Sequence, residues 1–218
     1  MNRVDFKKLR NKMVDEQIMS RGITDEHVLE AMRMVPRHRF VPKSKIGRAY
    51  EDCALPIGEG QTISQPYMVA LMTQCLDLNR QKRVLEVGTG SGYQAAILAE
   101  LSKEVYTVER IKKLLIKATQ TLNDLHYTNI KTLVGDGNSG FDDNELYFDA
   151  IVITAASQKK PDRLLSRLTE NGKLIVPMGN LFKQSLMVFT KTAGRIFESS
   201  VCSCIFVPLI GEYGWPLN

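Results

Sequence analysis

The sequence predicts an α/β fold: a doubly wound, mostly parallel sheet with antiparallel strands at the C-terminal end and a helical extension at the N-terminal end. Three observations carry this. From Arg83 onward, short apolar runs (VLEV, VYTVE, IKTLVG, FDAIVIT, KLIVPMG) alternate with helical periodicity, the pattern of parallel strands covered by helices on both faces. Between KLIVPMG and SLMVFTK about five residues intervene, whereas a parallel crossover needs about a dozen, so the last strands run antiparallel. Before all of these, apolar residues recur at helical spacing. At 218 residues the chain lies below the roughly 250–300 at which single cores split, and one domain is expected.

The elements follow in order. Phe6, Leu9, Met13, Val14 and Ile18 keep helical spacing until Gly22 stops it. Thr24 is the expected N-cap of a second helix, with Asp25 and Glu26 in its first turn and Val28, Met32 and Val35 inward, ending before Pro36. The run RHRFVPKSKIGRAYEDCALPIGEGQT has no periodicity over about 26 residues, which is unusual in a compact domain unless the segment is functional. After it, Met68, Leu71, Met72, Cys75 and Leu76 mark one face of a helix opened by Pro66. The strand-helix region then runs to KLIVPMG, its longest helix marked by Ile111, Leu114, Leu115, Ala118, Leu122 and Leu125. SLMVFTKT and VCSCIFVPL, joined through Ala193 and Gly194, are the expected antiparallel strands.

Charge excludes some classes. The net +5 comes from 29 basic and 24 acidic residues spread along the chain, without the basic stripe of a nucleic-acid protein. Cys53, Cys75, Cys202 and Cys204 form no C-x-x-C pair, and His27, His38 and His126 have no metal-ligand spacing with them. Cys202 and Cys204 alternate within a strand and should share one face as packed, reduced thiols. No metal is expected. MNRVDFKKLRNK lacks the apolar core of a signal peptide and no run reaches the ~18 residues of a span. The expectation is a cytoplasmic monomer with no membrane or nucleic-acid partner.

Candidate site residues cluster at strand ends. VLEV runs into GTGSGYQAA, where Gly88, Gly90 and Gly92 allow a tight turn and close backbone approach to a ligand. The helix from Tyr93 would present free N–H groups and its positive dipole end there. The spacing G-x-G-x-G, spanning Gly88, Thr89, Gly90, Ser91 and Gly92, differs from the G-x-G-x-x-G that holds a dinucleotide pyrophosphate. With Glu86 just before it, it resembles the S-adenosylmethionine site of the seven-strand methyltransferases. Glu109, about 20 residues past the glycines at the end of VYTVE, is placed to accept both ribose hydroxyls, or to cap a helix beginning at Arg110. Asp136 in GDG can accept an adenine amino group and Gly137 permits close approach, although Asp-Gly is also a common turn. Three such sites on successive strand ends fall where open α/β sheets bind ligands.

VLEVGTGSGYQAA, GQTISQP, AYEDCALPIG and the distal FVPL together resemble the protein-L-isoaspartate O-methyltransferase family, a Rossmann-like methyltransferase group, from RFVP at 39–42 to FVPL at 206–209. The resemblance implies transfer of a methyl group from S-adenosylmethionine, leaving S-adenosylhomocysteine, to the α-carboxylate of L-isoaspartyl residues in damaged proteins and peptides. It assigns the serine of the TIS motif, Ser64, as the active-site residue. Beside it, Thr62 and Gln65 are candidate neighbours for cofactor or substrate backbone, and Ile63 is placed with them in the substrate-binding segment. The single domain is expected to comprise an N-terminal helical and substrate-loop part (1–80), a cofactor-binding core (81–180) and antiparallel strands (181–218). Asn171-Gly172 stands where relatives often have Gly-Gly, a turn that asparagine tolerates, and NLFKQSL follows PMG where relatives often carry more glycine.

A carboxylate acceptor is already an anion, so the reaction needs no general base, only alignment and exclusion of water. Ser64 could orient it, or be a plain N-cap of the Pro66 helix. A nucleic-acid amino-methyltransferase would show Asn/Asp-Pro-Pro-aromatic where this chain reads TAAS at 154–157. A metal-dependent catechol-type enzyme would want an aspartate there. A methyltransferase for a small-molecule carboxylate and a non-catalytic cofactor-binding protein are the other readings.

Overall fold

The computed structural model describes residues 4–136, 146–211 and 215. Seven strands form one sheet in the order β5-β4-β3-β6-β7-β8-β9. The strands are β3 (Arg83–Val87), β4 (Glu104–Glu109), β5 (Ile130–Val134), β6 (Phe148–Ile153), β7 (Leu168–Gly179), β8 (Gln184–Thr192) and β9 (Arg195–Cys204). Pairs among β3–β7 are parallel, and β7-β8 and β8-β9 are antiparallel, as the short connection required.

Period-two alternation divides the sheet's side chains between two cores. Val84, Val105, Ala150 and Val152 bury on one face; Leu85, Val87, Tyr106, Val108, Ile151 and Ile153 bury on the other. Helices α4 (Tyr93–Leu101) and α5 (Lys112–Asp124) connect the first strands. Leu114, Leu115, Ala118 and Leu122 make the buried stripe of α5, each leucine contributing about 1.5–3 kcal/mol when withdrawn from water.

The N-terminal part differs from expectation in detail. α1 (Phe6–Met13) passes into a π turn (Val14–Ile18) and a 3₁₀ turn (Met19–Arg21) before Gly22 at φ +92°. The wider turn brings adjacent Met13 and Val14 together with Ile18 into the core, while Leu9 stays 38% exposed. α2 (Glu26–Met34) is capped by Asp25, not Thr24: Asp25 Oδ1 accepts the His27 and Val28 N–H groups at 2.9 and 3.2 Å. The non-periodic run contains two 3₁₀ turns (Arg37–Arg39, Lys43–Arg48) and all but the last residue of a small antiparallel hairpin, β1 (Leu55–Gly58) with β2 (Gln61–Ile63), which the sequence reading missed. Gly58, Glu59 and Gly60 all take positive φ in its tight turn. α3 (Pro66–Cys75) buries more than a stripe, since Val69, Ala70 and Thr73 join Met68, Leu71 and Met72 inside, while Cys75 is only half-buried.

β9 begins at Arg195, six residues before the expected VCSC, and ends at Cys204; among the described residues after it there are isolated bridges, such as Pro208 to Ala156. As an edge strand with most positions exposed, its first half carries no apolar alternation to read. Inside β7, Asn171 adopts φ +62°, and a Cβ on Gly172 would lie 2.8 Å from the Thr169 carbonyl. That accounts for the Asn-Gly pair.

Candidate functional site

The strand order reverses between β3 and β6, and a cleft of about 810 Å³ including open solvent lies beyond the carboxyl ends of the parallel strands, where open α/β sheets take ligands. One wall is the β3–α4 turn with Gly88, Thr89, Gly90 and Ser91; another is the end of β4 with Glu109; Asp136 follows β5. The end of the β1–β2 hairpin and its exit also line the cleft, with Thr62, Ile63 and Ser64. The cleft therefore brings the G-x-G-x-G turn and the TIS segment, far apart in sequence, into one cavity.

The glycines serve the protein's own packing as much as any ligand. A Cβ on Gly88 (φ +101°) would stand 2.3 Å from Thr154 Oγ1, whose hydroxyl donates to the Gly88 carbonyl at 2.6 Å. A Cβ on Gly92 would meet Ala118 of α5 at 3.2 Å. Gly92 is the N-cap of α4, in left-handed conformation, and it does not line the cleft.

The N–H groups of this turn are mostly engaged. Gly90 donates to Glu109 Oε2 at 2.9 Å, Gly92 to the Thr89 carbonyl at 2.8 Å, and Tyr93 to Ser91 Oγ at 3.3 Å. Of the N–H groups expected free at the start of α4, that of Tyr93 is taken, while those of Gln94 and Ala95 have no acceptor among the described residues. Glu109 instead offers a carboxylate. Its Oε1 accepts the Ile111 N–H at 2.8 Å, so each oxygen holds one backbone donor and keeps acceptor capacity for a hydroxyl. α5 begins at Lys112, not Arg110, and Glu109 ties down the approach to it. A carboxylate at this rim suits the hydroxyls of a nucleoside ribose.

Glu86 lies off the cleft wall, because the alternation of β3 turns its side chain into the protein. It is 0% exposed; Thr107 Oγ1 donates to its Oε2 at 2.5 Å, and Thr89 Oγ1 lies 2.6 Å from Thr107 Oγ1. Its Oε1 is buried without a partner. Burial, helped by the neighbouring charge of Glu109 and opposed by the Thr107 hydroxyl, pushes its pKa up to about 8.

Ser64 lines the cleft half-buried, and no hydrogen bond to another described residue holds its hydroxyl. It does not cap α3. Gln65 is the N-cap and Pro66 opens the helix. The Gln65 amide is turned away from the cleft and donates to Asp52, at 2.8 Å to Oδ2 and 3.1 Å to the carbonyl. Gly137 lies outside the described residues. Sequence reading did not single out Gln61, Arg110, Thr154 or Ala155 as cleft residues, nor residues 207–210, which also line it. The position of Thr154, at the carboxyl end of β6, was the available signal.

Among the described residues no group of three or more His, Cys, Asp or Glu could hold a metal ion, and no helix is long and apolar enough to cross a membrane.

Comparison with known proteins agrees with this geometry. The family described as Protein-L-isoaspartate(D-aspartate) O-methyltransferase matches residues 7–214. The chain is 49% identical to a protein-L-isoaspartate O-methyltransferase of Geobacter metallireducens over 97% of its own length and 98% of the relative's. It is 48% identical to one of Petrotoga mobilis over 97% and 100%. A Plasmodium falciparum structure of the same enzyme class, in complex with S-adenosyl-L-homocysteine, superposes with a TM-score of 0.80 at 28% identity, covering 95% of this chain and 99% of that one. With one cleft joining the G-x-G-x-G turn, the carboxylate of Glu109 and the TIS serine, the chain belongs to the protein-L-isoaspartate(D-aspartate) O-methyltransferase family.

Proposed function

We propose that this protein methylates the α-carboxylate of L-isoaspartyl residues in damaged proteins and peptides, the step that opens their repair. The observation that carries the reading is that Ser64 and Glu109 line one cleft. Bound there, S-adenosylmethionine supplies an electrophilic methyl group. Glu109 and Asp136 are the candidate holders of its ribose and adenine, with Gly88, Thr89, Gly90 and Ser91 beneath it. Ser64 has a hydroxyl free to donate to the incoming carboxylate, with Thr62 and Ile63 beside it. Because that carboxylate arrives ionised, the chain's contribution is orientation, for which in-line placement can supply ~7–11 kcal/mol, and removal of water by the hairpin and residues 207–210.

The protein works, in this reading, as a single domain. Residues 1–80 present the substrate loop, 81–180 hold the cofactor and 181–218 complete the sheet. We read it as a cytoplasmic monomer without nucleic-acid or membrane partners. The free thiols of Cys53, Cys75, Cys202 and Cys204 favour a reducing compartment, and the charge is dispersed.

The test is methyl transfer to a peptide carrying L-isoaspartate and to its normal aspartyl isomer. The normal isomer has its carboxylate one methylene further out and the main chain where the branch should lie. A mispaired polar site can reject such an analogue by ~10⁴ or more. Label should enter the isoaspartyl peptide alone and leave as methanol at neutral to alkaline pH, as the ester collapses to succinimide. Equal labelling, or a base-stable label, would favour an enzyme for a small-molecule carboxylate.

A further inference from the structure

Arg37, at the start of the 3₁₀ turn after Pro36, is fully buried at 0% exposure, a rare state for arginine without a paired acid. Among the described residues no carboxylate pairs with it; its hydrogen bonds go to backbone carbonyls. Nε donates to Ala49 at 2.8 Å, and Nη2 donates to Ser64 at 2.8 Å and to Cys53 at 3.4 Å. Nη1 is buried with no partner. The guanidinium carbon sits 4.8 Å from the ring centre of Tyr93, the first residue of α4 directly after the glycine turn. Burial lowers its pKa, but a guanidinium remains charged at neutral pH.

For stability alone this arrangement is poor, because a buried charge without a counterion is costly and well-packed apolar side chains replace buried charges readily. What the arrangement does provide is a rigid link. One planar group holds the main chain of the candidate catalytic residue and rests on the helix that carries the cofactor turn. It also leaves a positive charge behind the loop that must receive an anion, in surroundings too dry to screen it.

We propose that Arg37 is a positioning residue for methyl transfer. By gripping the Ser64 carbonyl and lying over Tyr93 it sets the acceptor loop's distance from the glycine turn, and its unneutralised charge favours an anionic acceptor. The inference rests on the reading of the cleft given above. Displacement of reacting groups by about 1 Å costs about 10²-fold, so the effect belongs in turnover and acceptor KM and leaves cofactor affinity alone.

The experiment compares wild type, Arg37→Met and Arg37→Lys for kcat and KM with an isoaspartyl peptide, Kd for S-adenosylhomocysteine, and Tm. Arg37→Met should lose about 100-fold in kcat/KM through both parameters, with Kd within threefold and Tm unchanged or higher. Arg37→Lys keeps the charge but not the fork, and should lose at least tenfold in kcat with KM within threefold. A brace with no further role would move Tm and Kd together with activity. That outcome, or an Arg37→Met enzyme retaining a third or more of kcat/KM, would overturn the proposal. Should Arg37→Met fail to fold, Arg37→Lys decides: a smaller fall in kcat, or kcat and KM changing in step, overturns it. Wild type inactive on the isoaspartyl peptide would instead remove the functional reading itself.

Discussion

Glu109 at the end of β4 accepts the N–H of Gly90 at 2.9 Å, so the residue proposed to hold the ribose also holds the glycine turn in shape. Its substitution should therefore act twice. Glu109→Ala should weaken S-adenosylhomocysteine binding by about 10–100-fold, since hydrogen bonds to a charged group are each worth ~1.5–3 kcal/mol. Glu109→Gln should lie between, because its amide cannot accept at both the Gly90 and Ile111 N–H groups. Asp136→Ala should cost less than Glu109→Ala. Calorimetric titration measures all three, with a nicotinamide dinucleotide as the negative comparison. Unchanged affinity in Glu109→Ala would leave that carboxylate a structural tie only.

Ser64→Ala separates a donor from a cap. Gln65 and Pro66 open α3 without the Ser64 side chain, so Tm should stay in place. Turnover should fall by about 10–100-fold if the hydroxyl donates to the substrate carboxylate, while affinity for S-adenosylhomocysteine stays within a small factor. A variant with full turnover would end the assignment of Ser64.

What could be read without coordinates follows from periodicity. Strands β3, β4 and β6 are buried on both faces and read as continuous apolar runs, so the carboxyl ends that carry Gly88 and Glu109 could be located. The β1–β2 hairpin could not. Its strands are three and four residues long, one contains Pro56, and its turn is built from Gly58, Glu59 and Gly60. Arg37 was invisible for another reason: a basic residue in a non-periodic run reads as surface, and only the three carbonyls around it reveal that it is buried. For Glu86 the position was legible but the direction of its side chain was not.

The hairpin turn is tethered to the cofactor side of the cleft. Glu59 Oε1 lies 2.6 Å from Lys113 Nζ in the first turn of α5, and each holds the other in its charged form, lowering the Glu59 pKa and raising that of Lys113. Both side chains reach solvent, so the pair should matter little to Tm and be sensitive to salt. Glu59→Gln and Lys113→Gln should each speed dissociation of S-adenosylhomocysteine severalfold at low ionic strength. The double variant should be no faster than either single one, and all should converge on wild type near 0.5 M salt, where the Debye length is only about 4 Å. Stopped-flow displacement gives these rates; identical rates at low salt would mean the pair does not restrain the hairpin.

Glu86 gives the chain a pH dependence whose sign can be derived. Its carboxyl is pushed from an ordinary 4.5 up to about 8, chiefly by burial. Between these values the folded protein keeps a proton that the unfolded chain has released, so stability falls as pH rises through that window and levels off above about 8. Below about 4.5 both states are protonated and the group contributes no slope. The protonated acid suits its surroundings, because a neutral carboxyl beside Thr107 leaves no charge next to Glu109. Replacement by glutamine keeps the shape and abolishes the titration. Measured without ligand, Tm of Glu86→Gln should be close to wild type near pH 5 and pull ahead as pH approaches 8.5. The difference should be on the order of 5–15 °C, taking a few kcal/mol for the shift and about 2–4 °C per kcal/mol for a chain of this size. Parallel curves would mean that Glu86 is ionised in the folded protein, with its charge compensated by something other than Thr107.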